Sequence, residues 1–312
     1  MTTEAPEYFE AGPKKGRGLA AKSIALIHAM RDIAEATRPI TVRGIAYKLF
    51  TSTLIPSMAK IETNRVSRLL TEARERGFIP WEWIVDETRE LERIPSWRDP
   101  AHFAKSVIQQ YRRDFWDQQS LRVEVWSEKG TVRGVLAPVL NEFGVGFRVM
   151  HGYTSATMIN NIAEDDDGRM LVALYCGDYD PSGMCMSERD LPGRIEEYGG
   201  DHVVLRRIAL VKSDLANLPS FPASDKGPKD GKRGDSRYEW FVKNYGDRCW
   251  ELDAMDPNDL RARVEKEIKS YIEPTAWERC EVVNRAEQES LRHVLDRWGR
   301  PRQKSGWKTS TT

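Results

Sequence analysis

From residue 121 to residue 211 the chain alternates apolar strand-like runs with amphipathic helical ones, and this rhythm restricts the fold more than any other feature. LRVEVW (121–126) reads as a strand, and TVRGVLAPVLNEFG (131–144) reads as a helix stopped by Gly144. GFRVM, TSATMINNIAEDDD and RMLVALYC continue as strand, helix and a strongly apolar strand. SGMCMSERDLPGRIEEYG gives a further helix and HVVLRRIALV a further strand. Strands joined through helices in this order indicate an α/β fold with a mostly parallel sheet covered on both faces. The segment CWELDAM and the helical DPNDLRARVEKEIKSYI complete a domain over 121–275. Within it, 219–237 (PSFPASDKGPKDGKRGDSR) is rich in Pro, Gly and Lys and reads as a mobile basic loop.

At 312 residues the chain is long enough for a second domain. Residues 1–18 have the composition of a disordered tail. A first helix fits 19–36, with Ile24, Ile27, Met30 and Ile33 at helical spacing. Pro39 ends it, and Thr41 is placed to N-cap a second helix, TVRGIAYKLF. A third runs from about Thr63, with Val66, Leu69, Leu70 and Ala73 inward and Gly77 as its stop. FIPWEWIVDETRE then alternates like a short β ribbon. Three helices and a ribbon describe a winged-helix DNA-binding domain over 19–98, whose third helix is the one presented to DNA. Arg65, Arg68 and Arg76 are its candidate phosphate contacts. The pattern also fits a helical bundle with an ordinary charged face. A connecting helix is expected over 99–120, and a C-terminal helix with a polar tail over 276–312.

Charge and cysteine usage narrow the function classes. The formal net charge is zero, which excludes a histone-like, purely electrostatic DNA binder but not local basic patches. Such patches occur at Lys14, Lys15 and Arg17, at Lys229, Lys232 and Arg233, and at Arg297, Arg300, Arg302 and Lys304. Cys176, Cys185, Cys249 and Cys280 lack metal-site spacing, which suits free thiols in a reducing cytoplasm. No apolar run approaches the roughly 20 residues of a membrane span, and the N-terminal sequence has no apolar signal region. The expected location is cytoplasmic, nucleoid-associated if bacterial.

Open parallel sheets bind ligands beyond the C-terminal ends of their strands. RMLVALYC ends in Gly177-Asp178-Tyr179-Asp180-Pro181-Ser182-Gly183, and LRVEVW ends in Ser127-Glu128-Lys129-Gly130. Glu128, Asp178 and Asp180 are therefore delivered to one sheet edge. Three carboxylates with spare coordination room suit Mg²⁺. DYDPSG taken alone is as much an acidic turn as a metal site; the Glu after the first strand favours the metal. Lys129 beside it is a candidate phosphate or DNA contact. Glu251 and Asp253 could join the acidic group, but a structural role is expected of them.

This combination resembles the Toprim fold of topoisomerases, primases and related nucleases, in which a Glu follows the first strand and an Asp-x-Asp the third. WSEKG and DYDPSG are similar to the corresponding segments of the topoisomerase VI A subunit and meiotic double-strand-break transesterase family. HGYTSAT (151–157) resembles the short Gly-Tyr segment between them. That family places a winged helix before its Toprim domain, so the resemblance spans about residues 20–275. It implies Mg²⁺ held by Glu128, Asp178 and Asp180, and a nucleophilic tyrosine in the winged helix a few residues after an arginine. Arg43 and Tyr47 have that spacing, with Gly44 in place of the family's acid and Ala46 in place of its aromatic. On the helical wheel, Val42, Ile45, Ala46, Leu49 and Phe50 form one apolar stripe. Tyr47 lies roughly 130° from the centre of that stripe, on the side of Arg43, and is expected to be exposed.

By this resemblance the chain cuts double-stranded DNA through a 5′-phosphotyrosyl link. Arg43 would stabilise charge, and a homodimer would bring each tyrosine to its partner's metal. Either a separate ATPase subunit would supply coupling to ATP, or the protein is a stand-alone, reduced form that acts without it. A hydrolytic Toprim nuclease using metal-activated water is the alternative, supported by Gly44 and Ala46. A non-catalytic winged-helix DNA-binding protein ranks third, because all three acids are present.

Overall fold

The computed structural model describes residues 20–85, 94–150, 155–228 and 234–298. Backbone contacts divide the chain into two compact units, Met1–Arg89 with Ser120–Tyr271, and Glu90–Gln119 with Ile272–Thr312. In the first unit α1 (Ala21–Thr37) leads to the short strand β1 (Ile40–Thr41) and α2 (Val42–Thr51). The Thr41 side chain accepts from the Gly44 amide at 2.8 Å, capping α2 as its sequence position predicts. α3 (Lys60–Glu75) follows, buries Val66, Leu69, Leu70 and Ala73, and gives way to Gly77 at φ 72°. These helices close over one core that includes Ile27, Met30, Ile45, Leu49 and Phe78.

The segment expected as a β ribbon behaves differently. Trp81–Trp83 forms a single 3-10 turn, and β2 (Ile84–Val85) pairs parallel with β1, Ile40 opposite Ile84. Consecutive Trp83 and Ile84 are both buried, so the aromatic alternation does not separate an inner from an outer face. Residues 86–93 lie outside the described residues.

In the second unit α4 (Pro100–Gln110) opens on the Asp99 carboxylate, which accepts from His102 N at 2.7 Å. It stops well short of residue 120. Tyr111 leaves the helix with its hydroxyl donating to Glu287, and the Arg113 amide donates to Asn284.

The sheet belongs to the first unit. β3 (Leu121–Ser127), α5 (Thr131–Phe143), β4 (Gly146–Val149), α6 (Ala156–Glu164) and β5 (Met170–Cys176) follow in turn. Next, α7 (Pro181–Cys185) passes through a π turn into α8 (Leu191–Glu197), which leads to β6 (Val203–Ala209). The four strands are all parallel, in the order β4-β3-β5-β6. Trp126, Leu171, Ala173 and Tyr175 face Ile159, Ile162, Leu191 and Ile195 from α6 and α8, which makes one dry layer.

The segment expected to be a mobile loop is partly ordered. β7 (Phe221–Pro222) pairs antiparallel with β8 (Arg248–Cys249), and α9 (Tyr238–Tyr245) lies between them. Residues 229–233, with Lys229, Lys232 and Arg233, lie outside the described residues. α10 (Pro257–Ser270), capped by Asp256, packs with α5, and α11 (Pro274–Trp298) packs with α4 in the second unit. No described helix is long and apolar enough to cross a membrane.

Candidate functional site

The strand order fixes where a site can form. From β3 the chain crosses to β4 on one side, and from β5 it crosses to β6 on the other. The C-terminal ends of β3 and β5 therefore flank the switch point of the sheet, where the outgoing loops diverge and leave a crevice. Ser127 and Cys176 are paired across that edge, so Glu128 and Asp178 emerge side by side.

The turn after β5 is tightly specified. Asp180, 4% exposed, accepts from the Gly183 amide at 2.8 Å and so caps α7. A Cβ on Gly183 would sit 2.3 Å from the Asp178 carbonyl oxygen, so only glycine lets the turn close this far. Arg207, from the middle of β6, donates to the carbonyls of Gly177, Asp178, Gly183 and Leu210 and to Ser187 Oγ. This arginine is the scaffold of the acidic turn. Its only sequence signal is a charged pair inside an otherwise apolar strand.

The carboxylates repel one another and two lysines hold them. Burial, then Asp178 and Asp180, raise the Glu128 carboxyl above its ordinary value. Burial also raises Asp178, against the pull of Lys129. Lys129 Nζ lies 2.9 Å from Asp178 and 2.8 Å from Asp253, and Lys226 Nζ lies 3.3 Å from Asp180. Burial opposes the Lys129 charge, but its two carboxylates prevail and raise the ammonium. Lys129, expected as a phosphate or DNA contact, thus serves as the internal counter-ion of the acids. In chemistry and charge Glu128, Asp178 and Asp180 suit a hard cation. Among the described residues, no three His, Cys, Asp or Glu side chains are gathered to hold a metal ion.

The 250–256 segment brings the N-terminal helices to this edge. Tyr179 and Trp250 pair antiparallel, and the Leu252 amide donates to Asp178 at 2.8 Å. From there Glu251 takes both prongs of the Arg43 guanidinium, Asp253 accepts from Thr41 at 2.6 Å, and Asp256 pairs with Lys48. Burial would raise the Asp253 carboxyl, but Lys129, Thr41 and Arg43 hold it below its ordinary value. The expected structural role of Glu251 and Asp253 fits these contacts.

This docking overturns the expected exposure of Tyr47, which is 4% exposed. The apolar stripe of α2 faces the helical core as predicted, but 251–256 covers a second face of the helix. Burial, then Glu251, raise the Tyr47 phenol far above its ordinary value, with Arg43 opposing. Arg43 lies 5.8 Å from the Tyr47 ring centroid. Gly44 is tightly packed: a Cβ there would meet Ile40 at 2.9 Å, so no side chain fits without movement.

Two cavities share the Arg43–Glu251 pair as a wall. One of about 740 Å³ is lined by Thr41, Ser67, Lys129, Asp178 and the pair. The other, about 480 Å³, is lined by Tyr47, Phe50, Phe221, Lys226 and the pair. On α3 Arg65 lies 3.7 Å from Glu62, and Arg68 is exposed with no ion pair among the described residues; Arg76, just past its end, pairs with Glu72 at 2.6 Å. Buried Arg74 stacks on Trp81 at 4.2 Å from its centroid, which the charge pattern did not distinguish from its neighbours. Comparisons with protein-family models, curated proteins and solved structures return no match to this chain.

Proposed function

We propose that the protein is a Mg²⁺-dependent DNA-cleaving enzyme resembling the topoisomerase VI A subunit, with a winged-helix N-terminal part and a Toprim sheet. The observation that carries this reading is the connection of the acidic switch-point edge to α2, with Arg43 and Asp178 lining one cavity. Glu128, Asp178 and Asp180 are the residues that would hold Mg²⁺, which supplies positive charge to a scissile phosphate and its leaving oxygen. Lys129 pairs with Asp178 and Lys226 with Asp180, which leaves Glu128 as the carboxylate without a lysine partner among the described ion pairs.

Arg43 binds the non-bridging oxygens of the phosphate, and Tyr47 attacks phosphorus. Its proton passes to Glu251, the carboxylate that lines the same cavity as Tyr47. The P–O3′ bond breaks, and a 5′-phosphotyrosyl end and a free 3′ end result. Arg65, Arg68 and Arg76 contact the DNA backbone. A homodimer makes paired nicks, and a separate ATPase subunit supplies any coupling to nucleotide hydrolysis.

A second reading, hydrolysis by metal-activated water, is favoured by the burial and raised phenol of Tyr47. Supercoiled plasmid with Mg²⁺ separates the two. Under transesterification Tyr47→Phe loses both cutting and the covalent protein–DNA adduct trapped by denaturant. Cutting at the wild-type rate by Tyr47→Phe points to water instead. Asp178→Ala is inactive under either reading, and activity in it would remove both.

A further inference from the structure

Resting on the reading above, we infer that Glu251 occupies the phosphodiester site of Arg43 in the free chain and yields it to DNA. A carboxylate and a phosphodiester present the same thing to a guanidinium, two oxygens spaced for parallel N–H donors. Glu251 takes the Nε and Nη2 donors of Arg43, the fork a phosphate would use. The Glu251 side chain is 16% exposed, whereas that of Arg43 is 45% exposed and opens on the larger cavity. The carboxylate is therefore anchored, and the guanidinium is the mobile partner.

Glu251 is held in place from its own segment. The Trp250 backbone is paired with Tyr179 in both directions, at 2.9 and 3.0 Å, and the Leu252 amide is bound to Asp178. The carboxylate is thus registered against the acidic turn, whether or not Arg43 is engaged. Because the pair forms the wall between the Tyr47 and Asp178 cavities, its opening joins them. Lys48–Asp256 and Thr41–Asp253 remain to hold α2 when it opens. A backbone phosphate that captures Arg43 therefore also merges the two cavities into one cleft along α2.

The test is duplex binding without cleavage. A short fluorescein-labelled duplex is titrated in EDTA at fixed salt, by anisotropy, with wild type, Glu251→Gln, Glu251→Asp, Arg43→Gln and the Arg43→Gln/Glu251→Gln double variant. Loss of the internal competitor tightens the Kd by about threefold to tenfold in Glu251→Gln. Glu251→Asp keeps the charge but shortens its reach, and tightens binding by a smaller factor. Arg43→Gln weakens binding, and Glu251→Gln has no further effect on top of it.

A generic gain from deleting a negative charge would persist in the double variant and be absent from Glu251→Asp; that result overturns the inference. So does unchanged or weaker binding by a Glu251 variant whose thermal melt is intact. If Glu251→Gln does not fold, Glu251→Asp decides alone. Wild type that neither binds the duplex nor cuts plasmid with Mg²⁺ would sink the proposed function itself. Wild type that cuts, with Glu251 variants binding as wild type does, removes only this role of Glu251.

Discussion

Glu128 illustrates how a single side chain is held against its own preference. Burial and two neighbouring aspartates raise its carboxyl, so the folded chain holds the proton more tightly than the unfolded chain does. An ionised Glu128 therefore opposes folding at neutral pH. The penalty is relieved as pH falls through its raised value towards the ordinary 4.5. Glu128→Gln removes the charge at nearly constant volume. In EDTA at neutral pH its melting temperature should equal or exceed that of wild type, and the difference should shrink as pH is lowered into the carboxylate range. The same variant should lose Mg²⁺-dependent cutting, the trade of stability for function expected where like charges are gathered. A clearly lower melting temperature would mean that Glu128 is compensated in the folded chain. Nothing in WSEKG forecasts the sign of this effect, which arises from burial and from acids some fifty residues away, although the position of Glu128 after an apolar strand is legible.

At the scale of elements, the β5–α7 turn shows which local structure the sequence carries in full. An apolar strand, then Gly-Asp-Tyr-Asp-Pro-Ser-Gly, spells strand end, turn and helix start; the strand ends at Cys176 and the helix opens at Pro181 with Asp180 as its N-cap. Gly183 is the test. The 2.3 Å approach of a Cβ to the Asp178 carbonyl cannot be relieved by rotating a side chain. Gly183→Ala should cost about 1 to 3 kcal/mol by overpacking. It should also displace Asp178 and so weaken Mg²⁺-dependent cleavage. Gly193→Ala in α8 is the control, since nothing lies within 4 Å of its Cβ position and alanine favours helix. Urea midpoints of the two variants decide; equal midpoints would deny that the turn needs its glycine. The 81–85 segment marks the limit of such local reading. Its alternation resembles a ribbon, but β1 from forty residues upstream takes it as a parallel partner and buries both Trp83 and Ile84.

Within the larger unit, contacts between residues over two hundred positions apart decide what local periodicity leaves open. The helical wheel of α2 identifies its core face correctly, but it has no term for a second covering layer, so Tyr47 reads as exposed and is buried. Arg261 of α10 is the clearest such long-range tie. Its guanidinium donates to the Thr37, Arg38 and Pro39 carbonyls at and just beyond the end of α1, and to the Val135 carbonyl inside α5. The end of a helix leaves carbonyls without amide partners, and here one arginine supplies them. Burial lowers the Arg261 guanidinium, so its charge is held at a desolvation cost that those oxygens offset. Arg261→Met keeps much of the stem and removes every donor. It should lower unfolding stability by about 3 kcal/mol, as orphaned carbonyls and lost charged hydrogen bonds together require. Arg261→Lys should recover only a fraction, because a single ammonium cannot fork across oxygens on two elements. Urea denaturation followed by tryptophan fluorescence measures both. A Met variant with the wild-type midpoint would show that these carbonyls do not depend on the Arg261 donors, and that its stem merely fills space.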